Sequence, residues 1–247
     1  MMQHYLSVKE KYKDCVLFYR LGDFYEMFFD DAKLASGELE VTLTGRDCGQ
    51  EERAPMCGVP FHSAETYIAR LIAKGYKVAI CEQMEDPATA KGLVDRDIIR
   101  IVTPGTVMTA SMLEEGRNNY ICAVYRDSAG TGVCFCDIST GECAVTAFDG
   151  PDTDEHLYNE LGRYAPREAM LSDGAYSDGE LVEYLTQRLG CRCENGGEDR
   201  FRLDAARTAV ERQFPGQTGA LPRDAAVQAV GGLLAYLYET QKTDLSH

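Results

Sequence analysis

The sequence predicts two α/β domains, the first with a mixed sheet and the second opening on an antiparallel three-strand meander. Its 247 residues are enough for one large or two ordinary domains, and a hydrophobic content of 45% allows a substantial core. Up to residue 102, apolar runs typical of strands alternate with segments whose apolar residues have helical spacing. From residue 120 onward, three β-rich runs are separated by turns. Segment 103–119 contains Pro and Gly, so we predict that it connects the two domains. We therefore place the domains at residues 1–115 and 116–247.

The first domain is predicted from alternating helix and strand patterns. Apolar residues spaced by three or four positions predict an amphipathic helix over residues 2–13. Ser63 and Gly75 are suited to cap and to end a helix over residues 64–74. The other predicted elements are strands at 15–21, 41–44, 77–81 and 98–102, a turn with a second apolar run at 22–29, a helix at 30–40 and a polar loop at 46–53.

The second domain is predicted from three hairpin-linked strands followed by alternating helices and strands. Ser139-Thr-Gly141 and the segment 127–130 supply the turns of the meander. This order is that of a ribonuclease H-like α/β domain. Its predicted elements are strands at 120–125, 132–138, 142–148, 169–171 and 191–193, and helices at 154–164, 178–189, 204–213 and 223–241; a further short helix is predicted at 111–115 in the connection.

The charge balance limits how this chain can meet a polyanion. The net charge is −15, and both halves are acidic: residues 1–115 carry −6 and residues 116–247 carry −9. Contact with nucleic acid must therefore be local and involve few charges. The longest stretch without a charge, residues 225–238, is too short to span a bilayer, and the first residues are polar and do not resemble a signal peptide. We expect a cytoplasmic protein that does not enter a membrane.

Sequence motifs for catalysis and cofactor binding are missing. No phosphate-binding loop, dinucleotide fingerprint, nucleophile elbow or zinc-protease pair is present. The ten cysteines include no C-x-x-C pair. The closest pairs, Cys134 with Cys136 and Cys191 with Cys193, alternate as two core side chains on one strand face would. We expect reduced, buried thiols and no metal site or catalytic residue.

A metal-dependent nuclease is one alternative for the second domain. Asp137 ends a predicted strand, and Glu142 and Asp173 are candidate companions. A two-metal site needs several carboxylates that converge on cations about 4 Å apart, and only Asp137 is well placed. The preferred interpretation is that Asp137 caps the turn before Gly141.

The pentapeptide Gly22-Asp-Phe-Tyr-Glu26 places two aromatic residues between two acids, directly after an apolar strand. A glycine turn at a strand end would project the next side chains outward, so Phe24 can be a probe that contacts something outside the fold. The alternative is that Phe24, Tyr25 and Phe28 are core aromatics of the next element.

Five strings in the first domain decide between these readings, because together they closely resemble the mismatch-recognition domain of the MutS family of DNA mismatch repair proteins. They are Leu-Phe-Tyr-Arg-Leu-Gly-Asp-Phe-Tyr-Glu (17–26), Pro-Met-Cys-Gly-Val-Pro-Phe-His (55–62), Val-Ala-Ile-Cys-Glu-Gln (78–83), Asp-Pro-Ala-Thr-Ala-Lys-Gly (86–92) and Arg-Ile-Val-Thr-Pro-Gly-Thr (100–106). The strings at 118–120 and 137–141 are similar to the start of the family's connector domain. Five motifs in one order are specific where a single motif is not.

The resemblance implies a set of DNA-binding residues. The family's Phe-x-Glu mismatch probe corresponds to Phe24 and Glu26. The resemblance implies that Phe24 enters the minor groove and that Glu26 hydrogen-bonds a base. We assign Tyr25 to packing in the core. Arg46 and Arg96 match basic positions that contact DNA in the family. Gly45 departs from the pattern, since relatives often carry a second basic residue there. Met56 and His62 lie in a matching string, and we assign both to packing.

The resemblance also implies partners and a larger parent protein. It covers nearly the whole chain, more loosely after residue 150, and stops where the family's helical core would begin. We expect a fragment without the clamp, dimerisation and ATPase segments, so that it is not an enzyme and ATP and magnesium belong to the missing domain. The expected partners are mismatched double-stranded DNA, a MutL-like protein at the connector and, for the full-length parent, a second copy. The alternative is a protein-interaction connector module with negligible DNA binding in isolation.

Overall fold

The structure, a computed structural model, describes residues 1–48, 52–85 and 94–242. Its internal contacts divide the chain into two units, Met1–Pro104 and Gly105–His247. Segment 105–115, placed with the first domain in the sequence prediction, belongs to the second unit in this division. The string at 86–92 lies outside the described residues. Among the described helices, none is both long and apolar enough to cross a membrane.

The first unit contains a six-stranded mixed sheet in the order β3-β4-β2-β1-β5-β6. Strands β1 and β5 are parallel, and the other neighbouring pairs are antiparallel. Its elements are α1 (Met2–Lys11), β1 (Cys15–Leu21), β2 (Phe24–Phe28), α2 (Phe29–Leu39), β3 (Thr44–Arg46), β4 (Ala54–Pro60), α3 (Ala64–Ala73), β5 (Lys77–Gln83) and β6 (Arg96–Val102). The predicted mixed α/β fold is confirmed.

A buried carboxylate ties the helices of this unit to the sheet. Tyr5 of α1 packs edge-on against Phe28, and both rings are almost fully buried. Asp31 of α2 forms an ion pair with Lys9 of α1 at 2.9 Å and accepts a hydrogen bond from the backbone N–H of Leu17 at 3.0 Å. One side chain thus joins α1, α2 and β1.

Three local predictions in the first unit were wrong. The strand expected at 41–44 is β3, shifted to Thr44–Arg46, and β4 (Ala54–Pro60) was not predicted. A Pro at each end of β4 and a Gly inside it are poor strand formers, so pairing with β2 and β3 overrides local preference. The Ser63 hydroxyl donates to the Pro60 carbonyl instead of capping α3, because a 3₁₀ turn leads directly into that helix.

The second unit has a five-stranded sheet in the order β11-β10-β7-β8-β9. Strands β7, β8 and β9 form the antiparallel meander, and β10 and β11 run parallel to β7. This is the predicted ribonuclease H-like arrangement. Its elements are β7 (Ile121–Asp127), β8 (Gly130–Asp137), β9 (Glu142–Phe148), α4 (Thr153–Tyr164), β10 (Glu168–Leu171), α5 (Asp173–Tyr176), α6 (Gly179–Glu183), β11 (Arg192–Asn195), α7 (Gly197–Arg200), α8 (Leu203–Gln213) and α9 (Asp224–Gln241).

Alternation along the central strands creates two separate cores. Residues 121, 123, 134 and 136 face α8 and α9, whereas residues 122, 124, 133 and 135 face α4 and α6. Cys134 and Cys136 are therefore two core side chains on one face of β8, as predicted. Gly132 allows α9 to approach closely, because a Cβ atom there would lie 2.0 Å from the Ala225 carbonyl oxygen.

Two predicted helices of the second unit are shorter than expected. The helix predicted at 111–115 is only a 3₁₀ turn, Ala110–Met112. The helix predicted at 178–189 is α6, capped by the Asp178 carboxylate, followed by a π-helical turn over Tyr184–Arg188. Apolar spacing alone does not distinguish these tighter and wider turns from an α-helix.

Candidate nucleic-acid interface

The turn between β1 and β2 separates the three aromatic residues that the sequence left ambiguous. Gly22 has φ +57°, a conformation that favours glycine. It allows a tight turn in which only residues 22 and 23 separate β1 from β2. Phe24 is 46% exposed, whereas Tyr25 and Phe28 are 7% and 1% exposed. Phe24 is therefore a surface aromatic, and its two neighbours belong to the core.

Groups on β1 and β5 support this turn from within. Arg20 donates from Nε to the Gly22 carbonyl at 2.5 Å and forms an ion pair with Glu82 at 3.3 Å. The Tyr25 hydroxyl donates to the same Glu82 carboxylate at 2.6 Å. Burial and this hydrogen bond raise the pKa of Tyr25, so its hydroxyl keeps the proton it donates. The backbone beneath Phe24 is held by both charge and hydrogen bonds.

A second exposed aromatic residue lies beside the same turn. Phe61 is 41% exposed, its N–H donates to the Asp23 carbonyl at 2.9 Å, and the Arg20 guanidinium lies 3.6 Å from the centre of its ring. Neither Phe61 nor β4, which precedes it, was singled out from the sequence. The sequence signal that could have identified Phe61 is its place in the Pro-Phe-His string at 60–62. The neighbouring His62 is exposed, so its assignment to packing was wrong, whereas Met56 packs partly against the core.

Glu26 lies on the same face of β2 as Phe24 and is paired with Arg46. Alternation along β2 puts residues 24 and 26 on one side, and Glu26 is opposite Gly58 of β4. A Cβ atom at position 58 would lie 3.5 Å from the Glu26 Cγ and 3.9 Å from the Phe24 ring, so glycine leaves this surface open. The Glu26 carboxylate forms an ion pair with the Arg46 guanidinium. Its side chain is 15% exposed, against 38% for Arg46.

Arg53 is an exposed cation that was not singled out from the sequence. It directly precedes β4, in which Ala54 pairs with Arg46. A Cβ atom at Gly45 would lie 3.0 Å from the Arg53 Cβ, so Arg53 occupies the space beside the residue where a second basic side chain was expected. Alternation along β3 puts position 45 on the opposite side of the sheet from Arg46 and Glu26, so Arg53 does not replace a cation on the Phe24 face. Without the pairing of β3 with β4, no spacing in the sequence reveals this.

Arg96 is not brought to the Phe24 surface. It starts β6, is only 8% exposed, and donates to the backbone carbonyls of Arg20 at 2.8 Å and Val94 at 2.7 Å. Its guanidinium carbon lies 5.3 Å from the Tyr19 ring centre. In this arrangement Arg96 crosslinks the ends of β1 and β6 inside the protein. Phe24, Glu26 and Arg46 are assembled on one surface, and Arg96 is not part of it.

The carboxylate considered for nuclease chemistry is fully engaged in a turn. Asp137 is 1% exposed and accepts hydrogen bonds from the Asn119 N–H at 3.0 Å and from the Ser139 N–H and hydroxyl at 2.9 and 2.6 Å. Glu142 is exposed and accepts from Asn118. Within residues 1–48, 52–85 and 94–242, no three Asp, Glu, His or Cys side chains form a group that could hold a metal ion. Asp137 therefore has the turn-capping role preferred from the sequence.

Comparison with known proteins identifies the family. The family model described as MutS domain I matches residues 1–111, and the model for MutS domain II matches residues 119–247. The chain belongs to the MutS family. The resemblance stated from the five strings is confirmed, and it extends through the second unit.

Curated relatives in the MutS family are similar along the whole of this chain. DNA mismatch repair protein MutS of Ruminiclostridium cellulolyticum is 52% identical over 248 residues, and that of Acetivibrio thermocellus is 51% identical over 251 residues. The MutS of Clostridium novyi is 47% identical over 249 residues. Each alignment covers 100% of this chain but only 27–28% of the relative. The chain thus spans little more than a quarter of the length of the curated relatives it matches.

Proposed function

We propose that this chain senses mispaired or looped bases in duplex DNA by inserting the Phe24 ring into the minor groove. The observation that carries the proposal is the exposed Phe24 ring on a turn braced by Arg20, Glu82 and Tyr25. An apolar side chain with 46% exposure at such a position has little to gain from the fold itself. Family membership supplies the substrate class.

The wedge would read deformability and not sequence. Pushing an apolar ring between base pairs unstacks a step, which costs a few kcal/mol and is offset by new stacking and by bending of the duplex. A mispaired or looped base is already poorly stacked, so the same insertion costs less there. The rigid support beneath Phe24 favours insertion, because a mobile ring would lose additional entropy on binding.

Glu26 would act as the discriminator beside the wedge. A carboxylate next to phosphates disfavours residence on matched DNA, since like charges repel when no compensating contact forms. At a mispair, an accessible base edge can share a hydrogen bond with Glu26, which offsets this repulsion. The ion pair with Arg46 holds the carboxylate in place on the Phe24 face until DNA arrives.

Arg46 would supply a phosphate contact, because it lies on the face of Glu26 and Phe24 and is 38% exposed. Among the candidate cations that the structure describes, Arg46 is paired with Glu26 and Arg96 is held by backbone carbonyls. This observation favours the second candidate function, a protein-interaction module whose DNA binding in isolation is negligible.

We further propose that the second unit contacts a MutL-like partner and that the full-length parent is a homodimeric ATPase. Residues 116–247 carry a net charge of −9, which suits a basic protein surface better than DNA. This chain matches only 28% of the length of one such relative, and on this proposal ATP and magnesium would bind in the rest of the parent. Dimerisation would add a second set of DNA contacts and raise affinity through effective concentration.

The two candidate functions separate in one titration. A labelled duplex with a G·T mispair or a single-base bulge and its matched twin are titrated at low salt with the 247-residue chain. Mismatch sensing predicts tighter binding to the mispaired duplex, and Phe24→Ala removes that preference. Phe214→Ala, which truncates a 38% exposed Phe of the second unit, serves as the control and leaves it unchanged. Equal binding of both duplexes by the unmodified chain would reject mismatch sensing in this chain and favour the interaction module.

A further inference from the structure

Two cysteines of the second unit face each other across neighbouring strands. Cys136 of β8 and Cys143 of β9 are direct partners in the antiparallel ladder. Their Sγ atoms lie 2.9 Å apart. Cys136 is buried and Cys143 is exposed, and both are free thiols. The six residues between them contain the turn that Asp137 caps.

The backbone already has the separation that a disulfide requires. Directly opposite residues in an antiparallel pair have Cα atoms about 4.5 or 5.5 Å apart. A disulfide spans Cα separations of about 4.4–6.8 Å, so either kind of pair falls within its range. The β8–β9 register continues through five more residue pairs beyond Cys136, ending at Thr131 and Phe148. Bond formation therefore needs rotation of two side chains and no movement of the strands.

The two thiols differ in a way that suits a reacting pair. Cys143 is on β9, the last strand of its sheet, where an external reagent can reach it. Contact with the Cys136 thiol holds the pKa of the Cys143 thiol below its ordinary value, and the same contact together with burial raises the pKa of Cys136. The thiolate is the nucleophile in thiol–disulfide exchange. Cys143 is thus the attacking sulfur and Cys136 the resolving one.

We propose that Cys136 and Cys143 form a reversible dithiol–disulfide site that is oxidised by low-molecular-weight disulfides. The Cys143 thiolate attacks one sulfur of the reagent disulfide, which breaks the reagent S–S bond and releases one thiolate. Cys136 then loses its proton and attacks the Cys143 sulfur of the mixed disulfide, which releases the second reagent thiol. Two protein thiols are oxidised to one disulfide, and one reagent disulfide is reduced to two thiols.

The other cysteines of this unit lack the same arrangement. Cys134 is buried on the same face of β8, and its ladder partner is Val145. Cys191 and Cys193 are separated by one residue of the same chain segment, and Cys191 is buried. Burial raises the pKa of Cys134, which keeps that thiol protonated and unreactive. Contact with the Cys191 thiol also lowers the pKa of Cys193, so the cross-strand geometry, and not the pKa, distinguishes Cys136 and Cys143.

Oxidised glutathione is the probe that tests the pair. The whole chain is incubated with it under native conditions, quenched with acid, alkylated after denaturation, and digested for mass spectrometry. The expected product is a peptide pair joined through Cys136 and Cys143, with the other eight cysteines alkylated. Excess reduced glutathione returns both sites to the alkylated form.

Three variants define the mechanism. Cys143→Ser, at an exposed position, abolishes the crosslink and leaves Cys136 alkylated. Cys136→Ser converts Cys143 into a stable mixed disulfide with glutathione, because the resolving thiol is gone. Cys134→Ser, the matched control on the same face of β8, retains the crosslink. Accumulation of glutathione on Cys143 of the unmodified chain without a crosslink, or a crosslink that joins other cysteines, would overturn the proposal.

Discussion

At the scale of single residues, the pairing of Glu26 with Arg46 determines how the surface around Phe24 is charged. The ion pair neutralises a cation on the face of Phe24 and holds the acid on the face that would meet DNA. Glu26 is the less exposed partner, so its carboxylate interacts with Arg46 in a medium less screened than bulk water. The charge that DNA meets at this face therefore depends on whether the pair stays closed.

Replacing Glu26 by Gln should raise affinity for matched DNA. The amide removes the repulsive charge and releases the Arg46 guanidinium for a phosphate. We expect matched-duplex affinity to increase roughly threefold to tenfold, as about 0.7–1.4 kcal/mol would give, and the mismatch preference to shrink. Fluorescence anisotropy with matched and G·T duplexes measures both. Unchanged affinity for both duplexes would show that Glu26 takes no part in discrimination.

Arg96 should behave as a structural residue. Its guanidinium donates to two backbone carbonyls, and a hydrogen bond from a charged group contributes about 1.5–3 kcal/mol. Arg96→Met and Arg96→Lys are both expected to lower the free energy of unfolding by about 2 kcal/mol or more, since Lys cannot reproduce the two-point contact. Urea denaturation measures this.

The matched control for Arg96 is Arg46, which is more exposed and contacts a side chain instead of the backbone. Arg46→Met is expected to change unfolding stability by less than about 1 kcal/mol. If Arg96→Lys leaves stability intact while Arg96→Met weakens DNA binding, Arg96 acts through its charge on DNA, as the family resemblance implied.

At the scale of elements, the sequence predicts strands and helices well where pattern and packing agree. Strand β1 and helix α9 follow from apolar runs that are buried as expected. Strand β4 was not predicted and β3 was placed too early in the sequence, because Gly, Pro and Arg are drawn into the sheet by pairing of β4 with β2 and of β3 with β4. The same pairings position Arg46 and Gly58, so the part of the site beyond the Phe-x-Glu motif depends on tertiary structure. The Arg96 environment likewise depends on the backbone of another strand.

An ion pair at the start of β1 and β5 should give this unit an acid-sensitive contribution to stability. Lys77 is almost fully buried and donates to Asp14 at 3.0 Å. Burial raises the pKa of Asp14, but the charge and hydrogen bond of Lys77 outweigh this, so its pKa lies below the ordinary value. A carboxyl whose folded pKa is depressed stabilises the protein above its unfolded pKa and loses that effect as the pH falls through the folded pKa.

Asp14→Asn tests this contribution. Because Asp14 is more than half exposed, solvent screening limits the expected loss at pH 7 to about 1 kcal/mol, and the difference from the unmodified chain should shrink as the pH falls below the unfolded Asp pKa of about 3.9. Urea denaturation at several pH values checks both. Asp30→Asn is the control, because Asp30 pairs with Lys33 at a fully open site. A constant difference between pH 7 and pH 3 would contradict the assignment.

At the scale of the whole molecule, the proposed function requires an acidic chain to bind an acidic polymer through few cations. The net charge is −15, and Arg46 is the cation paired with Glu26 on the face of Phe24. Each phosphate neutralised on a duplex contributes a slope of about −0.9 to the dependence of log affinity on log salt. The balance between wedge insertion and charge therefore differs from that of a basic DNA-binding protein.

The salt dependence of DNA binding should accordingly be shallow. We expect a slope between about −1 and −3 for the mispaired duplex, and a slope less steep by about 1 for Arg46→Ala. Arg207→Ala, at an exposed arginine of the second unit that pairs with Asp224, is the control and should leave the slope unchanged. A slope as steep as that of a protein with six or more phosphate contacts would mean that other cations carry the binding.

Insertion of Phe24 into the base stack can be measured directly with a fluorescent base. A 2-aminopurine placed beside a mispair brightens when its stacking is lost. If Phe24 inserts, we expect fluorescence to rise when the chain binds the mispaired duplex and to change little with the matched duplex. We expect no rise with Phe24→Ala, even at concentrations that saturate binding. An equal rise with Phe24→Ala, or binding of the unmodified chain without any rise, would contradict insertion.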